Sequence, residues 1–311
     1  MTTELLPNSS FSTTTVGLQL YWDSVSLGAI KKCPRYYQLT IIQGWEPKKR
    51  SVHLEFGIWI HSAREQYYHA RANGKGHNEG VEEAVLYVLE ATWINGKPWS
   101  SDDPNKNRGT LVRSVVWYLD HWENDPMETI VLANGKPAVE LSFRMETDFS
   151  TMGGEQFFLC GHLDRLVRFN EQTYTGDLKS TKSELGDYYF NTFSPDNQMS
   201  LYTTAGKVVY YVPVVGVVVD AVQVLVNGTR FARRPVQRTQ AQLDEWWMDI
   251  QILLEQAEDY SERNYWPMND KACFNCDFRG ICSKPPGVRE QFLAADFNRR
   301  VWDPLIARGD I

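Results

Sequence analysis

Residues 160–179, CGHLDRLVRFNEQTYTGDLK, constrain this chain more than any other stretch. They read as a β-hairpin carrying two facing carboxylates and a lysine. With Asn170-Glu171 as a two-residue turn, counting outward pairs Phe169 with Gln172 and sets Asp164 directly opposite Asp177. Side chains alternate along a strand, so Asp177 and Lys179 point one way and Leu178 points to the opposite, apolar face. Like charges placed directly opposite each other are destabilising, and a sequence that puts them there usually neutralises them with a cation. The cation expected here is a divalent metal. A surface hairpin with scattered charge explains this stretch equally well by itself, so the rest of the chain decides.

The 311 residues can bury a large core and suit one elaborated domain. The expected organisation is a flexible polar lead over residues 1–20, then a single domain over 21–311 with a helical insertion at about 70–130. A net charge of -7 argues against a surface coated in basic residues, yet leaves room for a local nucleic-acid groove. Basic clusters occur at Lys31, Lys32 and Arg35, at Lys48, Lys49 and Arg50, and at Arg230, Arg233, Arg234 and Arg238; each is as readily a solvated face. The N-terminus lacks the basic flank and apolar run of a signal peptide. The longest apolar run, residues 208–219, is short for a membrane span and is broken by Pro213 and Gly216. No membrane partner is expected. The expected compartment is the cytoplasm of a prokaryotic cell or phage-infected host, where grouped cysteines mean metal or redox chemistry more often than disulfides.

Residues 24–45 read as a helix broken near Cys33-Pro34. Over residues 54–70, Phe56, Ile60, Ala63 and Tyr67 recur at helical spacing, and His61 and Glu65 stand one turn apart, able to face one site. Polar, glycine-containing loops at 73–80 and 95–109 separate helices at about 81–92 and 110–123. The period then changes to two: Val139, Leu141, Phe143 and Met145 alternate with Glu140, Ser142, Arg144 and Glu146, as in a half-buried strand. Residues 198–211 read as a helix with Gln198 and Tyr202 on one face. Strands follow at 216–226 and 231–235, and Thr239 opens a long helix running to about 263 with an apolar stripe through Trp246, Ile250 and Leu254.

Near the end, Cys273, Cys276 and Cys282 are spaced C-x2-C-x5-C, a strong metal-site signal. A fourth thiolate is wanted, and Cys160 and Cys33 are the candidates. Cys160 is the weaker because it lies on the strand next to the carboxylates. Cys33 would make the site a clasp between N- and C-terminal segments. A four-cysteine zinc knot also fits this spacing.

In this order the motifs resemble the PD-(D/E)XK nuclease superfamily, and within it the RecB-like exonucleases with an iron-sulfur cluster, including CRISPR-associated and phage types. The resemblance rests on Cys33 followed by Pro-Arg-Tyr-Tyr, His61 in GIWIHSAREQYY, Asp164 in GHLDRL, Asp177 and Lys179 in GDLKST, Gln198 and Tyr202 in QMSLY, and the three C-terminal cysteines. It covers about residues 25–285. It implies an α/β, restriction-endonuclease-like fold: a central mixed β-sheet flanked by helices, with a helical elaboration. It also implies a 4Fe-4S cluster on Cys33, Cys273, Cys276 and Cys282, distant from catalysis. His61, Asp164, Asp177 and the backbone carbonyl of Leu178 would hold the catalytic metal, and Lys179 would orient or polarise the attacking water. Gln198 and Tyr202 would support the site and the DNA strand. Asp177 stands where many relatives carry Glu, and GHLD replaces the proline of the eponymous motif.

A divalent ion on two carboxylates lowers the pKa of a bound water and stabilises charge developing on the phosphoryl oxygens. Carboxylates suit Mg²⁺, and an imidazole ligand makes Mn²⁺ equally suitable. The expected activity is a metal-dependent deoxyribonuclease, exonucleolytic on single-stranded DNA or DNA ends, in recombination, repair, phage DNA metabolism or spacer acquisition. No G-x-x-x-x-G-K-S/T motif occurs, so a helicase partner would be a separate chain, as would a recombinase or integrase. A DNA-binding adaptor that keeps the fold and cluster without catalysis is the alternative. A third is a zinc-stapled protein with structural carboxylates. Some of the 11 Trp and 15 Tyr residues would stack on unpaired bases, while most serve the core.

Overall fold

A computed structural model describes residues 10–49, 51–133 and 135–306. The chain divides into two compact units. One joins Ser51–Leu141 to His162–Thr239; the other joins Met1–Arg50, Ser142–Gly161 and Gln240–Ile311.

The first unit begins with three helices, α1 (Val52–Ala72), α2 (His77–Ala91) and α3 (Arg108–His121). Strand β1 (Val139–Ser150) contributes its first residues here, and β2 (Gln156–Phe169) contributes those from His162 on. Then come β3 (Gln172–Thr181), α4 (Asn197–Val208), β4 (Val214–Leu225) and β5 (Gly228–Gln237). β2 and β3 are antiparallel, β3 and β4 parallel, β4 and β5 antiparallel, so the sheet is mixed. The β2–β3 turn forms where the sequence placed it. Asn170 and Glu171 take φ of +48° and +63°, the two positive angles a type I′ hairpin needs. Pairing runs from Phe169↔Gln172 to Arg165↔Gly176, and the ladder ends there, one step short of Asp164 and Asp177.

Helices cover both faces of this sheet. Phe56, Ile60 and Ala63 of α1 pack with Leu111 and Val115 of α3 on Leu178 and Val222, as the helical spacing of α1 predicts. Each fully buried side chain of this kind contributes roughly 1.5–3 kcal/mol. On the other face α4 approaches β4 so closely that a Cβ on Gly206 would lie 2.6 Å from a methyl of Val214. The Asp196 carboxylate caps α4 by accepting from the Met199 amide at 3.1 Å. α4 ends at Val208, earlier than the apolar run suggested, because the chain turns at Tyr211 (φ +53°) to begin β4 at Val214.

In the second unit, Tyr21–Trp22 pairs in parallel with Phe158–Leu159. Asp23 caps the helix Ser24–Lys32, its carboxylate accepting from the Ser26 amide at 2.8 Å. Cys33 ends that helix in extended backbone and Pro34 opens the next, Pro34–Tyr37, so the break falls where the proline requires it. The helix Gln240–Glu262 buries Trp246, Ile250 and Leu254. Of the polar lead expected over residues 1–20, residues 1–9 lie outside the described residues, as does Arg50. From Ser10 on the chain is folded: the Ser12 amide donates to the Leu18 carbonyl at 2.7 Å, and the Glu155 carboxylate accepts from the Thr13 amide and the hydroxyls of Ser12, Thr13 and Thr14. Among the described residues no helix is long and apolar enough to cross a membrane.

Candidate active site

α1 brings His61 and Arg64 to one carboxylate. Asp164 Oδ2 accepts from Arg64 Nη2 at 2.8 Å and from the Leu178 amide at 3.0 Å, and lies 3.1 Å from His61 Nδ1. His61 Nε2 is 2.8 Å from the Leu178 carbonyl oxygen. A carbonyl can only accept, so this bond places the imidazole proton on Nε2. Nδ1 then presents a lone pair to a carboxylate oxygen, and it is buried without a hydrogen-bond partner. Nδ1 and the Asp164 carboxylate, which Arg64 holds in place, thus turn two donor atoms toward one point where a cation could bind.

On the next strand, Asp177 Oδ2 meets the Lys179 ammonium at 2.7 Å, and Lys179 donates to Gln198 Oε1 at 2.6 Å. Gln198 Nε2 donates to the Tyr202 hydroxyl at 2.9 Å, the one-turn relation read from their spacing. Burial pushes the Asp177 carboxyl above its ordinary value; Lys179 opposes this and the nearby Asp164 adds to it. Tyr189, on the short helix Asp187–Asn191, has its phenol raised to about 12 by burial and then by the charge of Asp177.

The donor set suits a hard divalent ion. His61, Glu140 and Asp164 each offer a ligand atom, all within 4.8 Å of one another. The chemistry is oxygen with one imidazole, as Mg²⁺ or Mn²⁺ accepts. Asp177 stands outside that triple, engaged by Lys179. Glu65, one turn from His61, faces His69 at 3.6 Å instead.

A model of the PD-(D/E)XK nuclease superfamily matches residues 25–283. The chain belongs to this superfamily. A solved structure from Eubacterium rectale, presented as a candidate exonuclease, is 12% identical, with 88% of this chain and 92% of that one covered and a TM-score of 0.49. The solved structure of SSO0001 is 11% identical, with 55% and 67% covered and a TM-score of 0.30. No match was found among curated proteins. Within the matched residues Asp164 lies on β2 and Asp177 and Lys179 on β3, the adjoining strands described above.

Sequence reasoning missed two parts of this candidate site. Glu140 looked like an outward-facing polar residue of an alternating strand, but its φ of +48° breaks the alternation and brings its carboxylate to His61 and Asp164. The second part is a buried ion network behind Asp164. Arg64 Nη1 is 4.0 Å from Asp220 Oδ2, which accepts from the Tyr118 hydroxyl at 2.5 Å and meets Arg233 at 3.0 Å. Arg233 also pairs with Asp125, as does Arg165 at 3.2 Å. Arg233 therefore belongs to the interior and not to a surface basic cluster; its guanidinium lies 3.6 Å from the centre of the Trp122 ring.

In the other unit, Cys33, Cys273, Cys276 and Cys282 line one cavity with Tyr36 and Phe278. Cys160 is buried and does not line it. All five cysteines are free thiols. Among the described residues, no three of the four sulfurs lie within 4.8 Å of one another.

Proposed function

We propose that this nuclease is a divalent-metal-dependent deoxyribonuclease acting exonucleolytically on single-stranded DNA or DNA ends. The observation that carries this is the convergence of His61 Nδ1 and Asp164 Oδ2 at 3.1 Å beside the Asp177–Lys179–Gln198 chain. His61, Asp164, Asp177 and the Leu178 carbonyl would hold Mg²⁺ or Mn²⁺, with Glu140 added to them. When bound, such an ion supplies a more acidic water and charge stabilisation at the phosphoryl oxygens. Arg64 and the Leu178 amide fix Asp164 in place. Lys179, steered by Asp177 and Gln198, sets a positive charge beside the scissile phosphate and orients the attacking water. Tyr202 holds the Gln198 amide in the orientation that Lys179 needs.

The shared cavity of Cys33 and the three C-terminal cysteines supports a 4Fe-4S cluster as the second cofactor. A single tetrahedral zinc, with bonds of about 2.3 Å, would hold its sulfurs roughly 3.8 Å apart. Either group would take these same four thiolates, and the cluster is the reading that the order of the motifs supports. The biological setting that suits such an enzyme is recombination, repair, phage DNA metabolism or spacer acquisition in the cytoplasm, beside a separate helicase, recombinase or integrase chain.

The test is digestion of end-labelled single-stranded DNA by the purified protein with Mg²⁺ or Mn²⁺. Wild type should shorten the strand progressively and Lys179→Ala should not. DNA binding without cleavage under either metal would favour a non-catalytic adaptor.

A further inference from the structure

Beyond the last residue of β3 lies a group of basic side chains that the catalytic centre does not use. Lys106, in the loop before α3, is only 3% exposed. Its ammonium donates to Ser180 Oγ at 3.2 Å and stands 5.2 Å from the centre of the Phe56 ring. Among the described residues it has no carboxylate within 4.0 Å; the nearby Asp103 is paired instead with Lys182, at 3.2 Å. His53, exposed in the first turn of α1 three residues before Phe56, whose ring faces the Lys106 ammonium, belongs to the same end of that helix.

One carboxylate thus serves three basic groups. A buried ammonium held by a hydroxyl is costly to keep. Burial lowers the Lys106 ammonium to about 8, with Asp103 opposing and Lys182 adding to the shift. His53 is lowered by burial and then by the same two lysines. At this spot one carboxylate, Asp103, stands against an excess of basic charge.

Its position says which anion. Ser180 directly follows Lys179 in the chain. His53 precedes His61 by eight residues on α1, roughly 12 Å along the helix axis. A strand whose scissile phosphate lies at His61 and Lys179 would carry another of its phosphates here. We propose that His53, Lys106 and Lys182 form a binding subsite for a backbone phosphate of the nucleic-acid strand, distinct from the phosphate that is cleaved. Lys182 and His53 meet the phosphate at the surface, and the Lys106 ammonium, held by Ser180, stands behind them. This inference rests on the nuclease function proposed above.

The experiment measures binding of a 5′-fluorescein single-stranded oligonucleotide to the full chain in EDTA, across a salt series, so that cleavage plays no part. Lys182→Ala and Lys106→Met should each weaken binding several-fold at low salt. Each should also flatten the dependence of log K on log salt, Lys182→Ala by about 0.7, the value for one lost phosphate contact on a single strand, and Lys106→Met by less. Lys97→Ala, which removes an exposed charge outside the group, should keep the wild-type slope. With Mg²⁺, Lys182→Ala should raise KM for the oligonucleotide more than it lowers kcat. Because Lys106 is buried, Lys106→Arg serves as the rescue variant and should restore the slope if charge alone matters. Wild-type slopes in both Lys182→Ala and Lys106→Met would overturn the subsite. A wild-type protein inert toward DNA would overturn the nuclease function instead, while the metal-free slopes still decide the subsite.

Discussion

Arg64 donates to the same oxygen of Asp164 that His61 Nδ1 faces, at 2.8 Å against 3.1 Å. The guanidinium therefore fixes the carboxylate from behind while leaving its front to the imidazole, and it leans at 4.0 Å on Asp220. A lysine at this position can pair with Asp164 but cannot span both acids. Arg64→Lys should fold and lose about 10- to 100-fold in metal affinity or activity, the usual effect of removing support behind a metal ligand. Arg64→Met should lose several kcal/mol of stability as well, because it strips the partner from a buried charge. Metal titrations of activity alongside thermal melts separate the two effects. An Arg64→Lys enzyme with wild-type metal response would show that the pair is only structural.

Glu140 combines two properties that seldom coincide in a strand, a left-handed φ of +48° and a carboxylate within reach of His61 and Asp164. A non-glycine residue in that region costs roughly 1–2 kcal/mol, and strain of this sort persists where function over-determines it. Glu140→Gln should raise the Mn²⁺ or Mg²⁺ concentration for half-maximal cleavage about tenfold or more. Glu140→Gly should lose the metal response similarly yet resist urea at least as well as wild type, since the backbone penalty is gone. A glycine variant with a lower urea midpoint would refute the strain argument.

Much of this was legible because it is local. The hairpin turn, the one-turn relation of Gln198 and Tyr202 and the stripe of α1 follow from periods of two and 3.6, which the sequence displays directly. Glu140 was not legible, because one dihedral angle inside an otherwise regular strand decides where it points. Nor was the Arg64–Asp220–Arg233–Asp125 network, whose members come from α1, β4, β5 and the loop after α3. Arg233 in particular sits among surface-type neighbours in sequence, and only the β4–β5 pairing, which sets it opposite Asp220, turns it inward.

Asp177 links function to stability through pH. Its folded pKa is raised, chiefly by burial, so between the unfolded value of about 3.9 and the folded one the native state holds more protons than the unfolded chain. Stability from this group is therefore fully present below the unfolded pKa and is lost as pH rises through the folded one. In EDTA, wild-type melting temperature should carry a falling component as pH increases from 4, and Asp177→Asn should lack it. The same variant should have no detectable nuclease activity. If the two proteins track each other across the pH series, the buried carboxylate is not ionising at a cost.

The four cavity-lining cysteines predict a coloured protein. Asn269 ties the two segments together without any cofactor: its amide donates to Cys33 Sγ at 3.3 Å and its side chain donates to the Lys32 carbonyl at 2.9 Å. Cys33 is thus held against the loop that begins the three-cysteine run even before a cluster forms. Anaerobically purified protein should be brown, with broad visible absorption and about four irons per chain if the cluster is cubane. Cys33→Ser should lose most of that absorption but remain folded, because Asn269 and the packing of Tyr36 on Phe278, with ring centres 5.8 Å apart, still join the segments. Cys276→Ser should behave likewise, whereas Cys160→Ser, outside the cavity, should stay brown. Stoichiometric zinc in a colourless wild-type protein would overturn the iron-sulfur assignment and leave the same four thiolates as a structural zinc site.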